Sequence, residues 1–214
     1  MLFRSYLVEA SGETSGKKVD IRDVITAIQS SAATSAASLV VAGSVPQPAV
    51  RGGLDVLAKT ITSATYSAGW RFDAGLRLAA GSLFPASSRR AVVYVGTGSV
   101  NEPLLQGASL SELLSLLDNN GISLYAVILG GESPSDALRY LTDGSGGIIV
   151  SATQQDGLGI ISRHLKQRRT GMYRLSYTST AYDNFGKAYL PVNLEVYLRD
   201  RSGKDEAGFF APLR

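Results

Sequence analysis

The sequence predicts an α/β fold in which a mostly parallel sheet carries helices on both faces and a small antiparallel β appendage follows. Three observations predict it. Short, continuous apolar runs, typical of strands buried on both faces, recur through the first 170 residues. Segments with apolar residues at helical spacing separate these runs. Beyond residue 170 the pattern changes to alternation, which is typical of antiparallel strands with one solvated face.

In the first half of the chain, predicted strands and helices alternate, and two helices in succession end the series. The patterns predict a strand, a helix, a strand and two helices, in order, at residues 2–10, 19–28, 38–44, 54–61 and 72–84. Pro46 and Pro48 interrupt the chain after the second strand. This order of elements favours a parallel sheet with crossover helices.

The second half continues the alternation more regularly. The patterns predict three strands, each followed by a helix, with strands at 91–95, 122–129 and 147–151 and helices at 109–119, 135–142 and 158–169. Ser109 or Ser111 is suited to cap the first of these helices, and Gly121 is suited to end it in the left-handed conformation.

The C-terminal segment predicts the β appendage. Residues 172–178 and 190–198 alternate, residues 201–206 have the composition of a turn, and residues 207–212 predict a last short strand. So few strands bury little core, and we expect the appendage to dock on the α/β domain. The predicted domains are residues 1–170 and 171–214.

Composition narrows the classes of function. The 214 residues are 44% apolar and 18% charged, with a net charge of +3 and no cysteine. The absence of cysteine excludes disulfides and thiolate metal sites. The basic residues are scattered, so we expect no nucleic-acid partner. No segment has the length and apolarity of a membrane span, and no signal peptide is visible.

Signals of catalysis are weak in this sequence. His164 is the only histidine, and no serine motif accompanies it, so a role at the surface or in helix packing is favoured. Gly96, Thr97 and Gly98 follow a predicted strand but lack the third glycine of a dinucleotide turn. We therefore expect no enzymatic activity, and an enzyme of unknown class remains the less favoured alternative.

Four segments resemble the von Willebrand factor A (VWA) domain, whose sheet is Rossmann-like. They read GWRFDAGLRLA, RRAVVYVGTGS, SLSELLSLLDNNGISLYAVILG and ALRYLTDGSGG. The tail, with MYRLSYTST, LPVNLEVYLRDRSG and AGFFAP, resembles the strands that follow such domains in a bacterial, acidobacterial-type group of VWA-related proteins. The resemblance favours an exported or cell-surface protein, although the compartment stays unknown.

The resemblance also implies where a metal-ion-dependent adhesion site (MIDAS) would lie. In VWA domains three loops at the carboxyl end of the sheet supply its oxygen ligands. Here Glu9 stands where aspartate is usual, Ser11 matches, and Glu13 replaces a serine. Trp70 stands where the threonine is expected, and Thr97 where the second aspartate is expected. The resemblance therefore implies a degenerate MIDAS, with no cofactor expected and Mg²⁺ as the alternative.

The predicted function is a non-catalytic module for protein–protein interaction, adhesion or scaffolding. Its predicted partner-binding rim consists of Trp70, Arg71, Thr97 and Ser99, because tryptophan and arginine are frequent in binding hot spots. Trp70 is equally consistent with filling the volume of a lost metal. The partner is a protein of unknown identity.

Two further alternatives stay open. A metal-dependent adhesion module would use Glu9, Ser11 and Glu13, and the β appendage would bind if it lent an exposed edge to a partner strand.

Overall fold

The sheet of the α/β unit has six strands in the order β3-β2-β1-β4-β5-β6. In this computed structural model the described residues are 2–30, 37–86, 89–154, 157–167, 189–198 and 201–210. The chain divides into two compact units, Met1–Met172 and Tyr173–Arg214. The six strands are β1 Leu2–Glu9, β2 Ala37–Ala42, β3 Val50–Gly52, β4 Arg89–Gly96, β5 Ile122–Ile128 and β6 Ile149–Ser151.

Helices cover both faces of this sheet, as the apolar strand runs predict. The described helices are α1 Lys18–Ser30, α2 Leu54–Ser63, α3 Phe72–Gly81, α4 Leu110–Asn119, α5 Asp136–Gly144 and α6 Gly157–Gln167. Buried side chains of α1, α2 and α6 form one core with the sheet, and those of α3, α4 and α5 form the other. Successive residues of a strand face opposite cores, so that in β1 Val8 faces one core and Leu7 faces the other.

Local signals set the ends of several elements. Ser109 caps α4 in a capping box with Glu112, and Gly121 follows the helix at a φ of 58°. Gly147 precedes β6 where a Cβ would collide with the carbonyl oxygen of Leu124. The glycine therefore allows the close approach of β6 to β5, with which it pairs in parallel.

Two elements differ from the sequence prediction. The segment predicted as a break around the prolines ends in β3, a three-residue edge strand that pairs antiparallel with β2. In the second unit, residues 201–206 are not a turn. They belong to β8, Arg201–Phe210, which pairs antiparallel with β7, Tyr189–Leu198, along ten residue pairs. Cross-strand pairing thus overrides the turn-like composition of this segment.

The second unit contributes a two-stranded sheet, β7-β8, to the described part of the chain. Leu194 and Val196 on β7 are 40% and 48% exposed. The alternating segment 172–178 lies outside the described residues. Docking of the appendage on the α/β domain stays a prediction. Among the described residues, no helix combines the length and apolarity that crossing a membrane requires.

Candidate functional site

The candidate site lies where the strand order reverses, beyond the carboxyl ends of β1 and β4. The two strands are parallel neighbours, so the loops that follow them diverge to opposite faces and leave a crevice. Glu9 is the last residue of β1, and Thr97 follows the last residue of β4. The topology therefore brings together two positions that the resemblance to VWA domains assigns to a MIDAS.

The Glu9 carboxylate is buried and surrounded by donors of its own chain. Glu9 is only 1% exposed. Oε1 accepts a hydrogen bond from Ser11 Oγ at 2.7 Å, and Oε2 accepts one from the Thr97 backbone N–H at 2.8 Å. The Thr97 hydroxyl lies within 3.1 Å of both carboxylate oxygens. Because both oxygens accept hydrogen bonds, neutral donors satisfy the buried carboxylate, and no ion pair reaches it among the residues that the structure describes.

Tyr94 completes the cluster around this carboxylate. Its hydroxyl donates to Glu9 Oε2 at 2.5 Å and accepts from the Gly98 backbone N–H at 3.1 Å. Burial, followed by the charge and hydrogen bond of Glu9, raises the pKa of the Tyr94 hydroxyl well above its usual value. The phenol therefore stays a hydrogen-bond donor to Glu9 across the physiological pH range.

Gly96 leaves the space that the Glu9 carboxylate occupies. A Cβ at this position would collide with Glu9 Oε2 and would lie 2.6 Å from Cζ of Tyr94. Glutamate is one methylene longer than aspartate, and its carboxylate reaches across from β1 to the end of β4. The glycine is therefore what permits the longer acid at position 9.

The loop after β1 is held by hydroxyl groups. Thr14 is buried, and its Oγ1 donates to the Glu9 carbonyl oxygen at 2.8 Å. Ser11 Oγ accepts from the Thr14 backbone N–H at 3.3 Å while it donates to Glu9. Ser11 also forms an isolated parallel bridge with Ser67, which joins this loop to the segment before α3.

Trp70 precedes α3 and is only 7% exposed. Its indole stacks on the Tyr94 ring, with centroids 6.1 Å apart and an interplanar angle of 15°, and meets the Phe72 ring edge to face at 5.9 Å. These contacts fit the predicted role of filling volume at the sheet end. Trp70 supports the Tyr94 ring and offers little surface to a partner.

Arg71 and Asp73 form a second polar pair at this end of the sheet. Arg71 donates through Nε and Nη2 to the two oxygens of Asp73, at 3.1 and 3.0 Å, and Gly107 N–H donates to Oδ2 at 2.6 Å. Burial alone would raise the pKa of Asp73, but these hydrogen bonds and that from Ala74 N–H outweigh it, and the pKa is lowered. The pair fixes the start of α3 against the loop before α4.

The predicted site residues thus fall into two groups. Glu9, Ser11 and Thr97 are brought together in the buried cluster, whereas Glu13 is exposed. Ser99 is exposed, and the Arg71 side chain is 30% exposed, so both present surface at this edge. Within the described ranges, no three His, Cys, Asp or Glu side chains are grouped so that they could hold a metal ion.

Sequence reasoning missed Tyr94, Thr14 and Gly96 as members of the cluster. One signal was available for the first: a tyrosine in the aliphatic strand AVVYV needs a hydrogen-bond partner for its hydroxyl. Tyr94 also precedes Gly96 by two residues, so both lie on the same face of β4. No local pattern pairs either residue with Glu9, which lies 85 residues from Tyr94.

Comparison with solved structures identifies the fold. No family model matches the sequence, and no curated protein matches it. BatB, a conserved hypothetical protein from Bacteroides thetaiotaomicron, is similar with a TM-score of 0.62 at 11% identity, over 78% of this chain and 98% of that chain. A von Willebrand factor type A protein from Catenulispora acidiphila gives 0.57 at 10% identity, over 77% of this chain and 41% of its own.

The SpRpn10 VWA domain is similar over its whole length. Its TM-score is 0.55 at 15% identity, and the match covers 82% of this chain and 100% of that domain. At such low identity these likenesses concern the fold alone. The chain has a VWA-like α/β fold followed by a small antiparallel sheet.

Proposed function

We propose that this chain is a non-catalytic protein-binding module of VWA type whose sheet-end site works without a bound metal ion. The single observation that carries the proposal is that hydrogen bonds already occupy the Glu9 carboxylate. Among the described residues, this carboxylate is the one acidic group in the buried cluster. Both of its oxygens accept hydrogen bonds from Ser11, Tyr94 and Thr97. A MIDAS would need that carboxylate as a ligand.

The chemistry of the donors supports the same proposal. A hard cation such as Mg²⁺ takes oxygen ligands with free lone pairs, usually including one or two carboxylates. The Thr97 backbone N–H points at the Glu9 carboxylate from 2.8 Å, and an N–H group cannot ligate a cation. Trp70 is hydrophobic and fills the volume beside Tyr94. The residues present therefore do not fit a Mg²⁺ ion, and the mechanism of binding is proposed to involve no metal.

The proposed contact surface is the exposed part of the same sheet edge. Ser99 and the partly exposed Arg71 supply it, while Trp70 and Thr97, which neighbour them in the chain, are buried. The VWA-like fold supports a role in protein interaction, since ligands of open α/β sheets bind beyond the carboxyl ends of the strands. Arg71 keeps a fixed orientation through its two hydrogen bonds to Asp73. A preorganised arginine loses little side-chain entropy when a partner binds.

Metal dependence is tested first. Titration calorimetry and thermal unfolding are measured with Mg²⁺, Mn²⁺ and Ca²⁺, each against the same chain with EDTA. We expect no binding heat and no change in the unfolding temperature. Saturable binding of any of the three ions, abolished by Glu9→Gln, would instead establish the metal-dependent adhesion module.

The contact surface is tested with a matched pair of charge changes. Ser99→Arg alters the exposed rim, and Asn119→Arg makes the same kind of change at an exposed site at the far end of α4. The wild type and both variants are immobilised and used to capture proteins from extracts of the source cells. A partner that the wild type and Asn119→Arg retain and Ser99→Arg loses supports the rim. Equal retention by all three would contradict it.

A further inference from the structure

A cavity lies on the α1–α2 face of the sheet, apart from the Glu9 carboxylate. It has a volume of about 630 Å³ and is lined by the end of β2, the loop that leads to β3, the last turn of α2 and the segment after it. That volume is within the range of about 300–1,000 Å³ that is typical of ligand pockets. Ser67 lines it and also pairs with Ser11, so the cavity adjoins the candidate site without sharing its acidic group.

One wall of this cavity is aliphatic. Leu39 and Val41 of β2 and Val50 of β3 line it. The first two belong to the core and are only 1% and 5% exposed, so they form the deep part of the wall. None of the lining residues that the structure describes is aromatic. The wall therefore suits an aliphatic group better than a nucleobase, which binds by stacking on aromatic rings.

The opposite wall presents hydrogen-bond acceptors. Thr60 and Ser63, in the last turn of α2, are among its lining residues, and Ser63 is exposed. Thr60 Oγ1 donates to the Val56 carbonyl at 2.8 Å, and Ser63 Oγ donates to the Thr60 carbonyl at 3.3 Å. With their protons engaged inside the helix, both hydroxyls keep lone pairs that can accept further hydrogen bonds. N–H or O–H donors on a ligand would complement them.

The charges around the cavity disfavour ions of either sign. None of the described lining residues is charged. The C-terminus of α2 carries the negative end of the helix dipole. The Lys18 ammonium donates to the carbonyls of Thr62 and Ala64 at 3.1 and 2.9 Å and so offsets that partial charge. An ion in the cavity would lose its hydration without a counter-charge among the lining residues, which favours an uncharged ligand.

We propose that this cavity binds an uncharged peptide segment, with an aliphatic side chain against Leu39, Val41 and Val50 and with peptide N–H groups donating to Thr60 and Ser63. A peptide bond supplies neutral N–H donors at a short, fixed distance from a side chain, which matches the two walls. This site is independent of the rim at Ser99 and Arg71. Its test needs no natural partner.

Three small probes isolate the chemistry. N-acetyl-leucine amide is neutral, N-acetyl-leucine is an anion and leucine amide is a cation, while all three carry the same side chain. Binding is followed by ¹H–¹⁵N NMR of the full chain. We expect the neutral probe to shift resonances of residues 43–50 and 60–67 with a Kd on the order of 1 mM, as is typical of a ligand of this size. The affinity of the two charged probes is expected to be lower by about tenfold or more.

A matched pair of variants locates the site. Ser63→Phe places a ring at the mouth of the cavity, whereas Thr62→Phe makes the same change at the neighbouring exposed residue, which is not among the lining residues. We expect Ser63→Phe to abolish the shifts and Thr62→Phe to keep them. Thr60→Val removes one hydrogen-bond acceptor and keeps the shape of the side chain. Thr26→Val is its control, because each of these two hydroxyls donates to the backbone carbonyl four residues earlier in its helix.

The outcomes separate cleanly. Loss of binding in Ser63→Phe with retention in Thr62→Phe, and weaker binding in Thr60→Val than in Thr26→Val, support the proposal. Absence of shifts with the neutral probe, equal binding of all three probes, or equal binding by Ser63→Phe and Thr62→Phe would overturn it. Ser99→Arg should bind the neutral probe as the wild type does, so failure of the rim proposal leaves this result unaffected.

Discussion

Replacing Glu9 by alanine tests whether its carboxylate is the group that organises the sheet end. The substitution leaves the Thr97 N–H and the Tyr94 hydroxyl without their shared acceptor, and both residues are buried. An unpaired buried donor costs about 1–3 kcal/mol, so two of them lower the free energy of unfolding by about 2–6 kcal/mol. The volume vacated by the side chain adds to that loss.

Glu9→Gln gives a graded comparison because it keeps the shape of the side chain. The amide oxygen can stay at the position of Oε2 and accept from Tyr94 and Thr97, while the NH₂ group faces Ser11 in place of Oε1. The hydrogen bonds then lose their charge-assisted strength, and one changes direction. We expect a loss of about 1–3 kcal/mol, smaller than that of Glu9→Ala.

Urea unfolding followed by tryptophan fluorescence provides the assay. Trp70 is the only tryptophan and stacks on Tyr94, so its emission reports on the cluster itself. Glu13→Ala and Glu13→Gln are the matched controls, since Glu13 is exposed and lies four residues after Glu9 in the loop that follows β1. Each of these two changes is expected to alter stability by no more than about 0.5 kcal/mol. A Glu9→Ala chain as stable as Glu13→Ala would refute the reasoning. A transition midpoint that rises with Mg²⁺ in the wild type alone would do the same.

Three further perturbations have defined outcomes. Asp73→Asn should destabilise the chain at pH 6, and the difference in stability between this variant and the wild type should shrink below about pH 4. The reason is that a pKa lowered from 3.8 in the folded chain gives stability that is lost as the pH falls through the folded value. Urea unfolding midpoints of both chains from pH 6 to pH 2 check this. Tyr94, with its raised pKa, should stay protonated in the folded chain above pH 10, so that absorbance at alkaline pH shows fewer ionised tyrosines before unfolding than after it, and stability falls as the pH rises past 10. Gly147→Ala should lower the free energy of unfolding by about 3 kcal/mol or more, because the added Cβ would collide with the Leu124 carbonyl oxygen. Gly131→Ala, with open space around the added Cβ, should change stability little. Equal melting temperatures of the two variants in thermal unfolding would contradict this prediction.

Periodicity accounts for most of the α/β architecture that the sequence predicts. The buried runs of β1, β4 and β5 and the stripes of α1 and α4 each carry enough apolar residues to mark their own type and place. Strand β3 has only the residues Val50, Arg51 and Gly52, which is too short for any pattern. Residues 201–206 have turn composition, yet their pairing with β7 makes them a strand.

The location of the candidate site was predictable, whereas its chemistry was only partly so. Parallel strands bring their carboxyl ends to one edge, and this places Glu9 near Thr97. Which group occupies the space between them depends on contacts 85 and 88 residues apart in sequence, from Tyr94 and Thr97 to Glu9. Trp70 shows the same limit, because sequence indicates its loop but only packing shows that it is buried.

The space above Gly96 couples positions that are far apart in the chain. A side chain at position 96 would collide with the Glu9 carboxylate, so glutamate at position 9 requires glycine there. A shorter aspartate at position 9 would in turn leave the donors of Tyr94 and Thr97 without their acceptor. In a mutational scan, positions 9, 96 and 97 should therefore show strongly non-additive effects. Conversion of this edge into a metal-binding one, or the reverse, has to proceed by joint changes, and single substitutions would pass through less stable intermediates.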